Sequence, residues 1–231
     1  MTKHLLREIE RLKRSILAEG AIVERAIDDS IRSLLSRDQA LAKRVIDNDH
    51  LIDDMEVRIE EDCLKILALH QPVAIDLRFI VAAMKINSGL ERMGDLAVNI
   101  AERASYLATQ ETVTLPVDFG EMAAVTKRMV RESLQSLVNS DPELALTVTD
   151  EDDIVDDFNR QMFIKVQQRM SQSPGEVKSL LHCLSASRHL ERIADLATNI
   201  AEDVIYMTTG DIIRHRVEDY SLLDEPKTGK E

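Results

Sequence analysis

Two stretches of the chain carry carboxylates at a spacing that only a helix turns into a site. Residues 90–102 read LERMGDLAVNIAE and residues 190–202 read LERIADLATNIAE, identical at ten of thirteen positions. At about 100° per residue, Glu91, Asp95, Asn99 and Glu102 share one arc of a helix, and Glu191, Asp195, Asn199 and Glu202 share the same arc in the second copy. Like charges four residues apart cost a helix roughly 0.2–0.5 kcal/mol per pair, so such a stripe calls for a counter-ion. Oxygen-only donors suit hard cations (iron, Mn²⁺ or Mg²⁺) better than Zn²⁺, which prefers His and Cys. A second acidic stripe, Asp49, Asp53, Glu56 and Glu60, precedes the first copy. Its counterpart is Asp152 and Asp156, with Asn159 and Phe163 in place of Glu56 and Glu60, so the two sites are expected to be unequal. A solvated acidic face is the plain alternative. Against it, a face that only met water would have been free to drift between the copies.

The elements that must position these residues read as helices throughout. Aromatics are 3% of the 231 residues, with no Trp, seven Gly and five Pro, a composition for long helices with Leu, Ile, Val, Ala and Met between them. Apolar periodicity predicts helices near 3–36, 39–70, 73–109, 120–139, 142–171 and 176–208, with Asp38 and Asp141 as N-caps and Pro142 in a first turn. The repeat extends beyond the motif: Asp38, Leu41 and Ala42 correspond to Asp141, Leu144 and Ala145, and Asp47, Asp49, Asp53 and Asp54 to Asp150, Asp152, Asp156 and Asp157. The expected fold is all-α: two tandem, pseudo-symmetric three-helix bundles of six long helices. Residues 1–110 form the first repeat, 111–117 a linker, 118–216 the second repeat and 217–231 a mobile tail.

A formal net charge of −13 argues against nucleic acid or anionic lipid as the main partner. Cys63 and Cys183 are too few for a disulfide framework and read as small core residues. No apolar run approaches the ~20 residues of a membrane span, and the N-terminus lacks the apolar centre of a signal peptide, so a cytoplasmic protein without direct membrane insertion is expected. His50, four residues before Asp54, could join a metal site, while His182 and His189 lie beside the second motif; a lone His is more often inert. Glu-x-x-His pairs, a Walker motif and a Gly-x-Ser-x-Gly elbow are all missing from the sequence, so an enzyme is not expected.

The twice-used E-R-x-x-D-L-A-x-N-I-A-E motif, the turn Gln71-Pro72-Val73-Ala74-x-Asp76-Leu77-Arg78 and the late Gly210-Asp211-Ile212-Ile213-Arg214-His215 together resemble the PhoU family, over roughly residues 3–216. The resemblance implies two symmetric three-helix bundles side by side, with metal clusters held on their surface by Glu/Asp-x-x-x-Asp motifs. Those motifs fall on Glu91/Asp95, Glu191/Asp195, Asp49/Asp53 and Asp152/Asp156; Asn99, Glu102, Asn199 and Glu202 carry over less securely. It further implies a non-enzymatic, homodimeric negative regulator of phosphate transport and homeostasis. Such a regulator couples the ATPase subunit of the phosphate ABC transporter (PstB-like) to a sensor histidine kinase (PhoR-like), and is held beside inner-membrane complexes through those partners. A metal-buffering helical protein, or an adaptor of a different transporter, is the alternative.

Overall fold

In the computed structural model, residues 3–111 and 113–210 are described. They form seven α-helices and no strand: α1 (Lys3–Ser36), α2 (Gln39–Asp47), α3 (His50–His70), α4 (Ala74–Ala108), α5 (Phe119–Asn139), α6 (Pro142–Gln172) and α7 (Val177–Thr209), with one 3-10 turn, Pro174–Glu176, before α7. The six expected rods are present except that the second is two helices. At Asn48 the backbone moves to φ −93°, ψ 0°, and short bonds carry the chain round: Asp49 N–H to Ile46 O at 3.4 Å and Leu51 N–H to Asn48 O at 3.0 Å. Asn48 suits this turn because its short polar side chain competes with the backbone for hydrogen bonds. The counterpart α6 runs unbroken.

Local chemistry sets the other ends. Asp38 accepts from Leu41 N–H at 2.9 Å, Asp118 from Glu121 N–H at 3.1 Å, and Asp141 from the N–H groups of Glu143 and Leu144, both at 3.1 Å. Each satisfies donors that a helix start leaves open. Gln71, at φ 44°, ends α3 in the left-handed region, and Pro72 follows. The linker is packed down: Val117 is buried, and Val113 and Leu115 rest on the core. The tail 217–231 and the Asp211–His215 part of the late motif lie outside the described residues.

Two antiparallel helix pairs join the halves. Along α4 and α7, Tyr106 stacks on His182 with ring centroids 3.9 Å apart, Lys85 Nζ reaches Asp203 Oδ1 at 3.0 Å, and Arg78 lies beside Gly210. Along α1 and α5, Lys13 Nζ donates to Val138 O at 3.0 Å, Arg131 pairs with Glu24 at 3.4 Å, and Lys127 pairs with Asp28. Gly20 permits the closest approach there, since a Cβ at that position would stand 2.2 Å from Leu134 Cδ1. Outside these central pairs, α2 and α3 lie against α1 and α4, while α6 lies against α5 and α7. The buried side chains of both halves form one continuous core.

Candidate functional site

In the first half the acidic stripes of α3 and α4 meet, as the sequence implies. Gly94 sets how closely: a Cβ there would lie 2.7 Å from Ile52 Cδ1 and 3.6 Å from Asp49 Oδ1. The bare backbone of α4 therefore sits directly under the start of α3. Burial raises the pKa of Asp49, and Asp53 and Asp95 raise it further, against a lowering from His50. Glu91 is raised by burial, then by Asp95, Glu56 and Asp53, with Arg92 opposing. Four expected ligands, Asp49, Asp53, Glu91 and Asp95, thus feel one another across two helices.

The second half repeats the arrangement between α6 and α7. Burial pushes Asp152 up to about 6, helped by Asp195 and Asp156 and opposed by the nearby Thr198 hydroxyl. Glu191 is raised by burial, Asp195 and Asp156, and Asp195 by burial and Asp156; nearby arginines oppose both. Among the described residues, none of these eight carboxylates lies within ion-pair distance of a Lys or Arg. Repulsion within each set is opposed only at a distance, by His50 and Arg92 in the first half and by Arg188 and Arg192 in the second, and the donors are oxygen alone, so their chemistry fits a hard cation. Among the described residues, no group of three or more His, Cys, Asp or Glu side chains is set to hold a metal ion as it stands.

The remaining expected ligands make other contacts as well. Asn99 donates to Asp95 O at 2.8 Å on its own helix. With Asn199, Arg92, Arg192 and the set members Asp95 and Asp195 it lines a groove of about 400 Å³ where the two motif copies face each other across α4 and α7. Glu102 pairs with Arg103 at 3.7 Å. His50 Nδ1 lies 2.9 Å from Asp47 O, so the ring serves the α2–α3 turn. His182 and His189 face the other half: burial and Arg103 lower the pKa of both. Burial pushes the Cys63 thiol up to about 12 and Cys183 to about 11, as expected of core residues.

Glu19 on α1 is the residue that sequence reasoning missed. It is 0% exposed, its two carboxylate oxygens have no hydrogen-bond partner, and its pKa rises from 4.5 to about 8 through burial, then Glu56 and Glu91. It falls within the apolar series Leu12, Ile16 and Val23 of α1, and a single charged residue there reads as an edge position. The signal lay in the repeat. The spacing that aligns Asp38 with Asp141 puts Met122 opposite Glu19, a polar-for-apolar exchange at a core position.

The fold and site together define a class: a duplicated all-helical protein carrying one carboxylate set in each half. The model of the PhoU domain matches the chain twice, over residues 16–104 and 119–204, and the chain belongs to the PhoU family. It is 39% identical over 212 residues to a phosphate-specific transport system accessory protein PhoU homolog of Aquifex aeolicus, covering 92% of this chain and 96% of that one. Its counterpart in Pseudomonas aeruginosa is 36% identical over 209 residues, covering 90% and 86%. The crystal structure of PhoU from Pseudomonas aeruginosa superposes with a TM-score of 0.83 at 36% identity, over 89% of this chain and 99% of that chain. That of the phosphate transport system regulatory protein PhoU from Streptococcus pneumoniae gives 0.81 at 26% identity, over 90% and 98%.

Proposed function

We propose that this protein is a non-enzymatic, cytoplasmic regulator of phosphate signalling that binds hard cations on its two acidic faces. It couples the ATPase subunit of a phosphate ABC transporter to a sensor histidine kinase, and it represses the phosphate-starvation response when phosphate is plentiful. Membership of the PhoU family over both halves carries this reading, since relatives matched over nearly their whole length are named accessory proteins of the phosphate-specific transport system. No helix among the described residues is long and apolar enough to cross a membrane.

Asp49, Asp53, Glu91 and Asp95 would hold cations in the first half; Asp152, Asp156, Glu191 and Asp195 would do so in the second. A bound cation supplies positive charge that quiets each set and makes its face rigid and less acidic. The chain's own residues present that face on long helices, and the adaptor acts by preferring one kinase conformation, which bounds the shift it can impose. The halves offer different faces. Phe163 is 57% exposed and lines a groove of about 490 Å³ with Leu184 and Arg188, where the first half has Glu60, Met84 and Ser88. That difference suits two distinct partners.

Deleting the gene should leave phosphate-responsive promoters active in rich phosphate, read with a reporter fusion. Unaltered repression in the deletion strain would sink the signalling role.

A further inference from the structure

We propose that Glu19, Glu56, Glu91 and the side-chain oxygen of Asn87 form an interior cation site in the first half that the second half does not have. The proposal rests on the cation-binding reading of the acidic faces and extends it into the core. Glu19 enters from α1, Glu56 from α3, and Asn87 and Glu91 from successive turns of α4. Glu19 is 0% exposed with both oxygens unpartnered; Asn87 is 2% exposed, donates its amide to Glu56 O at 2.9 Å and leaves its Oδ1 unpartnered. Three buried acceptor oxygens without a donor are costly to bury and are what a hard cation takes.

The sister half shows that the fold does not need them. There Met122 occupies the counterpart of Glu19 and is equally buried, while Ser187 Oγ lies 3.0 Å from Asn159 Oδ1 and 3.8 Å from the Met122 sulfur. The polar groups at the counterparts of Asn87 and Glu56 thus satisfy each other beside an apolar side chain. Carboxylates that repel do not gather into one coordination sphere by themselves; the charge of the ion draws them together. Two carboxylates and an amide of the first half then act as ligands where the second half has only packing. Glu91 belongs to the surface set as well and Glu56 acts on it, so the interior ion would lie next to that set and share Glu91 with it.

The test is Mn²⁺ binding to chelator-treated, full-length protein, followed by calorimetry and by the loss of free Mn²⁺ signal in electron paramagnetic resonance. Wild type, Glu19→Met, Glu19→Gln and, as a control on the other half, Glu191→Gln are compared. Glu19→Met copies the sister position and keeps the core filled; circular dichroism checks its fold, and Glu19→Gln preserves shape. The expected result is one Mn²⁺ fewer, or at least a tenfold weaker first-half affinity, in both Glu19 variants, with second-half uptake unchanged. Equal uptake by wild type and the Glu19 variants overturns the interior site and leaves the surface sets standing. No uptake by wild type overturns both.

Discussion

Glu19 and Asp152 are the two carboxyls whose protonation the fold alters most measurably. An acid with a raised folded pKa holds its proton more tightly in the folded state, so stability is lost as pH rises from the unfolded to the folded pKa. For Glu19 that window runs from about 4.5 to about 8, and for Asp152 from 3.8 to about 6. The chelator-treated protein should therefore be more stable near pH 5 than near pH 8 in guanidinium titrations. Glu19→Met should remove much of the slope and raise stability at pH 8 by on the order of a few kcal/mol. A stability that climbs between pH 5 and pH 8 would show that the buried carboxyl has found a partner.

At the scale of the element, two positions govern whether the site is built. Asp141 holds two backbone donors at the start of α6, and Asp141→Ala should cost about 1 kcal/mol, seen as a lower denaturation midpoint with unchanged slope. Gly94 lets α3 lie against α4. Gly94→Val would drive branched carbons against Ile52 and should cost roughly 1–3 kcal/mol while weakening cation uptake in the first half alone. The counterpart, Ala194, already carries a Cβ and is fully buried, so Gly94→Ala tests the same contact more gently. The break between α2 and α3 places Asp49 on a turn, whereas Asp152 sits inside α6, which gives the two sets different backbone freedom.

For the whole molecule, one core spans both halves through α1 against α5 and α4 against α7. The halves should therefore unfold together. Far-UV circular dichroism and tyrosine fluorescence, to which Tyr106 in one half and Tyr206 in the other contribute along with Tyr220, should give a single coincident midpoint in urea. Cations that bind only the folded chain must raise that midpoint: about 2.7 kcal/mol is expected at a hundred times the dissociation constant. An unmoved melting temperature with excess Mn²⁺ would leave the acidic faces merely solvated.

Much of this was legible in the residues alone because helical period, capping chemistry and repetition are all local in the chain. The motif at residues 90–102 and 190–202 determined which carboxylates share a stripe, and Asp38 and Asp141 announced their helix starts. What needed three dimensions was everything set by one helix lying on another. Asn99 and Asn199 share the arc of their carboxylates, and packing sets them, with Asp95 and Asp195, along the groove between the halves. Asn48 turns a periodic run into two helices. Glu19, one polar residue in an apolar series, became conspicuous only when α3 and α4 closed over it and removed every donor it could have used. Periodicity assigns a side chain to a face; only packing decides what that face meets.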